Sequence, residues 1–174
     1  MHTGDRDATG VNLISLLEEL LQAGVEFILV GGLAAVIQGA PVTTLDVDIL
    51  HRCSPENIAR LFAFLTSTAA IQRRPDDKVI VPREEDFLGK GHNLLSTRLG
   101  PLDVLGAIEA GQTYETLLSH TVEIEFRGRK LRVLDLDTLI RLKRASKDPK
   151  DQQRLPVLEE TLRQLEKGPG PDRT

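Results

Sequence analysis

Cysteine and aromatic residues are scarce in this 174-residue sequence, which has one cysteine, no tryptophan and 3% aromatic residues. A lone Cys53 can form neither an internal disulfide nor a cysteine-based metal site, so a reducing cytoplasm is the expected compartment. No segment approaches the roughly 18 uninterrupted apolar residues of a membrane-spanning helix, and the N-terminal MHTGDRDATG lacks the apolar centre of a signal peptide. These absences exclude a disulfide-rich secreted scaffold and predict a cytoplasmic protein without a membrane segment.

Positive charge is in slight deficit, since 22 Lys and Arg residues face 26 Asp and Glu residues and the formal net charge is −4. This balance argues against a protein that binds nucleic acid over its whole surface. Basic residues do gather in RGRKLR (127–132) and RLKRASK (141–147). The length predicts a single domain over residues 1–166 with closing helices, followed by a polar, Pro/Gly-rich flexible tail over 167–174.

Helical and strand-like patterns alternate in the first third of the chain. Helical spacing in VNLISLLEELLQAG precedes the apolar strand VEFILV, which is followed by the helix GGLAAVIQGA and the alternating strand TLDVDIL. Ser54 followed by Pro55 is typical of a helix start, so a further helix is predicted there.

Strands dominate the middle of the chain and helices its end. We expect a strand in DDKVIVP, two more around a Gly100-Pro101 turn, and a hairpin in TVEIEFRGRKLRVLD joined by residues 127–129. Two closing helices follow, the first with Asp137 as a candidate N-cap. This order of elements predicts an α+β fold, with helices packed against a sheet.

The strand-like TLDVDIL carries two aspartates where a buried strand would carry apolar residues. Alternation places Leu45, Val47 and Ile49 on one side of the strand and aims the carboxylates of Asp46 and Asp48 into one small volume on the other. Buried like charges repel each other unless a cation lies between them, and Mg²⁺ prefers oxygen ligands. The pattern therefore predicts a divalent metal site on this strand.

Two-metal phosphoryl chemistry requires a further carboxylate from a neighbouring strand. Asp103, in GPLDVLG, is the best candidate because apolar residues flank it in a strand-like run after a tight turn. Its rivals, Asp135 and Asp137, lie where a strand gives way to a helix and fit helix caps better.

Gly31 and Gly32 end one predicted strand and begin the next helix. Backbone N–H groups at a helix start attract anions, and glycine lets a phosphate approach without a Cβ in the way. The Gly31-Gly32 pair therefore predicts a phosphate-binding turn beside the metal site.

Three segments together, VGGLAAVIQGAPVTTLDVDIL (30–50), LDVL (102–105) and LIRLKRASKDPKD (139–151), carry a resemblance to a known family. Over about residues 25–158 the chain resembles the nucleotidyltransferase superfamily, specifically the small bacterial branch with AbiEii-like toxins and the minimal nucleotidyltransferases of toxin–antitoxin pairs. The resemblance implies a nucleotidyltransferase-like mixed β-sheet with flanking helices and a C-terminal helical segment.

The resemblance also implies roles for individual residues. Asp46 and Asp48 would hold Mg²⁺ or Mn²⁺, and Asp103 would complete the site and help to deprotonate an attacking hydroxyl. The triphosphate of a nucleoside triphosphate would be contacted by the remaining matching residues, which are Gly31, Gly32, Thr44 and Lys143, with Lys147 or Lys150 nearby. One position departs from the pattern, because Val42 stands where relatives commonly have arginine.

The basic run 141–147 also has a plainer interpretation. Helical spacing would turn Leu139, Ile140 and Leu142 inward and leave the basic side chains, including Lys143, on a solvated face. A phosphate contact by Lys143 is therefore implied by the resemblance alone.

Two functions from different classes remain open. The first is an enzyme that transfers a nucleoside monophosphate from a nucleoside triphosphate to a hydroxyl of a tRNA 3′ end, a protein or a small molecule. The second is a catalytically weak or inactive module of a toxin–antitoxin pair that binds its partner. The three carboxylates favour the enzyme, whereas Val42 keeps the binding module open.

Overall fold

The computed structural model describes residues 5–168, with side chains described from residue 12 onward. The helices are α1 (Asp5–Gln22), α2 (Gly31–Ile37), α3 (Pro55–Ser67), α4 (Tyr114–Leu117), α5 (Leu136–Ala145) and α6 (Pro149–Glu166). The strands are β1 (Phe27–Val30), β2 (Val47–His51), β3 (Ile71–Gln72), β4 (His92–Thr97), β5 (Gly100–Leu105), β6 (Thr121–Phe126) and β7 (Arg129–Leu134). The predicted tail falls outside the described residues except for 167 and 168.

The strands form one seven-stranded sheet in the order β3-β4-β5-β2-β1-β7-β6. The pairs β2–β5 and β1–β7 are parallel, and the other neighbouring pairs are antiparallel. Helix α1 packs against β5 and β2, while α2 packs against β1, β2 and α5. The predicted α+β class is therefore confirmed, and the sheet is mixed.

Apolar periodicity accounts for the core. All four residues of β1 (FILV) are buried, as expected for a central strand covered on both faces. On α1, Leu16, Leu17 and Leu20 are fully buried, which gives the helix one apolar side toward the sheet.

In the described range, no helix combines the length and apolar character needed to cross a membrane.

Helix caps explain where two helices begin. Ser54 accepts a hydrogen bond from the backbone N–H of Asn57 (3.4 Å) and Pro55 occupies the first helical position, so the predicted start of α3 is confirmed. The cap of α5 is Asp135, which accepts from the N–H of Thr138 at 2.7 Å. The prediction of Asp137 was wrong because β7 ends at residue 134 and the helix begins sooner, which places Asp137 in the first turn.

The prediction of a strand in DDKVIVP was wrong. Val79, Ile80 and Val81 are exposed to 71, 40 and 65%, and the segment has an irregular backbone. A backbone hydrogen bond from Gln72 to the carbonyl of Ile80 (2.8 Å) holds it near β3. The β-branched residues favour a strand, but this segment lies beyond the short edge strand and forms no ladder.

Two hairpin turns differ in detail from the predictions. The β4–β5 hairpin turns at residues 98 and 99, because Pro101 already pairs with Ser96 inside the ladder. The β6–β7 hairpin is joined by Arg127 and Gly128, whose φ angles of +49° and +79° suit a two-residue turn between twisted strands. Arg129 belongs to β7 instead of the connection.

Candidate functional site

Asp46, Asp48 and Asp103 converge at one place on the sheet. Asp48 of β2 lies beside Asp103 of the parallel strand β5, and Asp46 lies at a bend immediately before β2. One carboxylate oxygen from each residue lies within 4.8 Å of the others. The structure thus brings together the three predicted acidic residues, which we call the acidic triad.

The local backbone differs from the predicted strand in one respect. Asp46 is not part of β2, and Leu45 is 68% exposed instead of facing the core with Val47 and Ile49. The hydroxyl of Thr44 donates to the backbone carbonyl of Asp46 (3.2 Å) and so helps to form the bend. The bend directs Asp46 toward Asp48 although strand alternation does not extend that far.

Burial and neighbouring carboxylates raise the pKa values of Asp46 and Asp48. Burial, followed by the charges of Asp46 and Asp103, raises the pKa of Asp48 to about 8, while Lys143 opposes this rise. Burial and then the charge of Asp103 raise the pKa of Asp46, against the opposing charges of Arg73 and Arg154. A crowded, partly buried set of oxygen donors of this kind is the environment that a divalent cation stabilises.

Gly31 provides the space that Asp48 needs. Its φ of +72° lies in the left-handed region, and a Cβ at this position would overlap the Asp48 carboxylate. A Cβ on Gly32 would lie 3.0 Å from the Thr44 hydroxyl and 3.3 Å from a guanidinium nitrogen of Arg154. Gly31 therefore borders the acidic triad, whereas Gly32 borders Thr44 and Arg154, and both lie at the start of the seven-residue helix α2.

Lys143 is buried, contrary to the solvated-face interpretation. It is 9% exposed, and its Nζ lies 2.9 Å from Oδ1 of Asp151 on α6. The neighbouring Arg141 and Arg144 are exposed and pair with acidic residues on the helix surface. Helix α5 thus turns one lysine of the basic run toward the sheet, while Lys147 and Lys150 remain exposed.

A cavity of about 570 Å³ connects Asp48 and Asp103 of the acidic triad with Lys143. Asp48, Asp103 and Gly31 line it on the sheet side, and Lys143 lines it on the helix side. Its remaining walls are mostly apolar and include Leu94, Leu105, Ile108, Leu134, Leu139 and Leu142. Glu109 and Asp148 add two further carboxylates to the lining, so a cavity of this size and mixed character suits a small organic ligand whose anionic part is accompanied by a cation.

Two arginines at the site were not predicted. Arg73, just after β3, forms an ion pair with Asp103 and places Nη1 3.9 Å from Oδ2 of Asp46. Arg154 of α6 donates from Nη2 to the backbone carbonyl of Thr43 (3.0 Å). No motif in the sequence marks either residue, because their proximity to the triad arises only from the packing of distant segments.

Arg73 also reduces the repulsion among the aspartates of the triad. The sequence alone predicts that only a bound cation relieves this repulsion. In the structure, the guanidinium of Arg73 already supplies positive charge to Asp103 and Asp46. The donor set still fits a divalent cation, since three carboxylate oxygens from three residues can converge on one ion.

No family model and no curated protein matches the chain. Among solved structures, a candidate nucleotidyltransferase from Thermotoga maritima is 19% identical, with 97% of this chain and 98% of that chain covered at a TM-score of 0.52. An antigenic nucleotidyltransferase-like protein from Paracoccidioides brasiliensis is 14% identical, with 91% of this chain and 77% of that chain covered at a TM-score of 0.53. The chain therefore has a nucleotidyltransferase-like fold, as the resemblance predicted.

Proposed function

We propose that this chain is a metal-dependent nucleotidyltransferase that moves a nucleoside monophosphate from a nucleoside triphosphate to a hydroxyl acceptor and releases pyrophosphate. One observation carries the proposal: Asp46, Asp48 and Asp103 converge within 4.8 Å, beside a cavity that also contains Lys143. A fold alone does not specify an activity, so the proposal depends on this arrangement of charged groups.

The acidic triad would hold Mg²⁺ or Mn²⁺, which in this chemistry neutralises charge on the phosphate oxygens. The acceptor oxygen bonds to the α-phosphorus, and the bond from that phosphorus to the pyrophosphate oxygen breaks. Asp103 is assigned to accept the acceptor's hydroxyl proton, because its carboxylate lines the cavity where the acceptor must lie. The aspartates thus have both a binding and a proton-transfer role.

Lys143 is assigned to the phosphate chain. Its ammonium lines the same cavity as Asp48 and Asp103, and the hydrogen bond to Asp151 fixes its position. A lysine held in this way can donate to phosphate oxygens and stabilise the charge of the leaving pyrophosphate. Gly31 leaves room for the Asp48 carboxylate, Gly32 lies against Thr44, and Thr44 maintains the bend that carries Asp46.

Within this class, we assign the chain to the small bacterial branch of AbiEii-like toxins and minimal nucleotidyltransferases. The segments 30–50, 102–105 and 139–151 support the assignment, since they supply the triad, the glycines and Lys143. The acceptor classes consistent with this chemistry are a tRNA 3′ end, a protein hydroxyl and a small-molecule hydroxyl. A toxin–antitoxin partner would belong to the same biological setting.

The alternative is a module without activity that binds a partner. The pairing of Arg73 with Asp103 and Asp46 favours it, because these two carboxylates have a positive partner within the chain itself. Such a module would need neither metal nor nucleotide. The two functions therefore predict different effects of losing Asp103. The enzyme would lose its transfer activity, whereas the module would keep its binding to the partner.

A transfer assay separates the two functions. The protein is incubated with each α-labelled nucleoside triphosphate, Mg²⁺ or Mn²⁺, and a mixture of cellular RNA, protein and small hydroxyl compounds. We expect label to appear on an acceptor with the unmodified chain and to be absent with Asp103→Asn. Asp137→Asn is the matched control, since this carboxylate is 63% exposed and pairs with Arg141 on the surface of α5.

The opposite pattern would support the binding module. In that case no triphosphate labels any acceptor, and a stable partner complex forms equally well with the unmodified chain and with Asp103→Asn. That outcome would replace the enzymatic assignment.

A further inference from the structure

Arg73 approaches the acidic triad from the edge of the sheet. Its backbone N–H donates to the carbonyl of Leu94 on β4 (2.8 Å), which fixes the start of the side chain. The side chain then crosses β4, where Nη2 also contacts the carbonyl of Leu95 (3.3 Å), and reaches Asp103 on β5. Its other terminal nitrogen faces Asp46 at 3.9 Å.

The guanidinium and a divalent cation would compete for the negative charge of the same carboxylates. Arg73 bonds Oδ1 of Asp103, and Asp103 is one of the three residues whose oxygens converge. Guanidinium carries only donors and a permanent positive charge, so it cannot share a ligand set with a metal ion without repulsion. A metal held by all three carboxylates would therefore weaken the contact of Arg73 with Asp103 and favour its displacement.

Displacement is feasible because the side-chain contacts of Arg73 with Asp103, Asp46 and the Leu95 carbonyl all involve its terminal guanidinium, whereas its backbone is held separately. The side chain is 35% exposed, and residues 73–83 form an irregular segment instead of a strand. A flexible side chain of this length can turn its terminal group away while the hydrogen bond to Leu94 remains. Once displaced, the guanidinium requires a new anionic partner near the triad.

A triphosphate would supply that partner. Guanidinium binds phosphate oxygens in a bidentate manner, and such charge-assisted contacts are stronger than neutral ones. We propose that Arg73 holds the acidic triad in the metal-free protein and moves to the phosphate chain when metal and triphosphate bind together. This inference rests on the proposed function, because it assumes that the triad binds a metal ion.

One functional consequence is selectivity for the metal–triphosphate complex over the metal alone. Metal alone competes with Arg73 for the carboxylates without offering it another anion, so binding of the metal is weakened. The metal–triphosphate complex replaces the lost carboxylate contacts with phosphate contacts. Arg73 is therefore a phosphate-binding and positioning residue that couples entry of the metal to entry of the nucleotide.

Calorimetric titrations with two probes test the inference. The probes are Mn²⁺ alone and a preformed complex of Mn²⁺ with inorganic tripolyphosphate, which contains no base. For Arg73→Gln we expect Mn²⁺ alone to bind about tenfold more tightly and the complex about tenfold more weakly than for the unmodified chain. Arg74→Gln is the control, because Arg74 is adjacent but pairs with Asp76 (2.7 Å), and both affinities should remain unchanged.

The outcomes distinguish this inference from the proposed function. If Mn²⁺ binds equally to the unmodified chain and to Arg73→Gln, and this binding is lost in Asp48→Asn, the metal site stands and the inference about Arg73 is overturned. If neither probe binds the unmodified chain or Arg73→Gln, both the metal site and the inference are overturned. Circular dichroism of each variant establishes that the fold is intact before the affinities are compared.

Discussion

Replacing Asp48 by asparagine should stabilise the metal-free protein at neutral pH. The structure raises the pKa of Asp48 from 3.8 to about 8, with burial as the largest cause and the charge of Asp46 next. Between these two values the folded chain retains a proton that the unfolded chain releases. Folding therefore becomes less favourable as pH rises through this window, and an uncharged side chain removes the penalty.

The size of the effect follows from the pKa shift. At ~1.4 kcal/mol per pH unit above 3.8, the penalty reaches about 4 kcal/mol at pH 7. Asp48 keeps some contact with solvent, which screens its charge. We therefore expect Asp48→Asn to raise the free energy of unfolding by about 2 kcal/mol at pH 7 and by almost nothing near pH 4.

Urea unfolding in the presence of a chelator, repeated between pH 4 and pH 8, measures this difference. Asp137→Asn serves as the control and should show no comparable gain, because its carboxylate is 63% exposed. The reasoning would be refuted if Asp48→Asn were less stable than the unmodified chain at pH 7. A gain of equal size at pH 4 and pH 8 would also contradict it, since the gain would then not arise from ionisation.

Two further predictions concern residues around the triad. Gly31→Ala should lower the free energy of unfolding by ~2 kcal/mol more than Gly39→Ala in chemical denaturation, because both have positive φ but only at Gly31 would the new Cβ overlap Asp48. Equal losses would show that the close approach to Asp48 is unimportant. Lys143→Met should weaken binding of Mn²⁺–tripolyphosphate about tenfold by calorimetry, whereas Arg144→Met, on the exposed side of the same helix, should leave it unchanged. Equal affinities in these two variants would remove Lys143 from the phosphate site.

The acidic triad could be predicted because its signal is local. Each aspartate stands among apolar residues, and a charge inside a strand-like run is unusual enough to indicate a site. The sequence does not show directly that Asp48 and Asp103 are neighbours. The pairing of β2 with β5 in the structure shows it. The fold class could be predicted for a similar reason, since helical and strand periodicities are properties of short segments.

Arg73, Arg154 and the irregular segment could not be predicted in the same way. Arg73 contacts a strand two places away in the sheet, so its role depends on strand order. Arg154 contacts Thr43 from a helix near the end of the chain. The run VIV in DDKVIVP has strand propensity, but whether such a run enters a ladder is decided by the partner strands available to it.

The parallel pairing of β2 with β5 has a consequence for how the molecule folds. Asp48 and Asp103 become neighbours only after the chain between them, including α3, β3 and β4, has formed a long crossover. Closing such a non-local contact is entropically slow, and it comes after helices and hairpins have begun to form. We therefore expect the complete set of three carboxylates to form late in folding, and a divalent cation to act mainly by slowing unfolding of the finished structure instead of accelerating its formation.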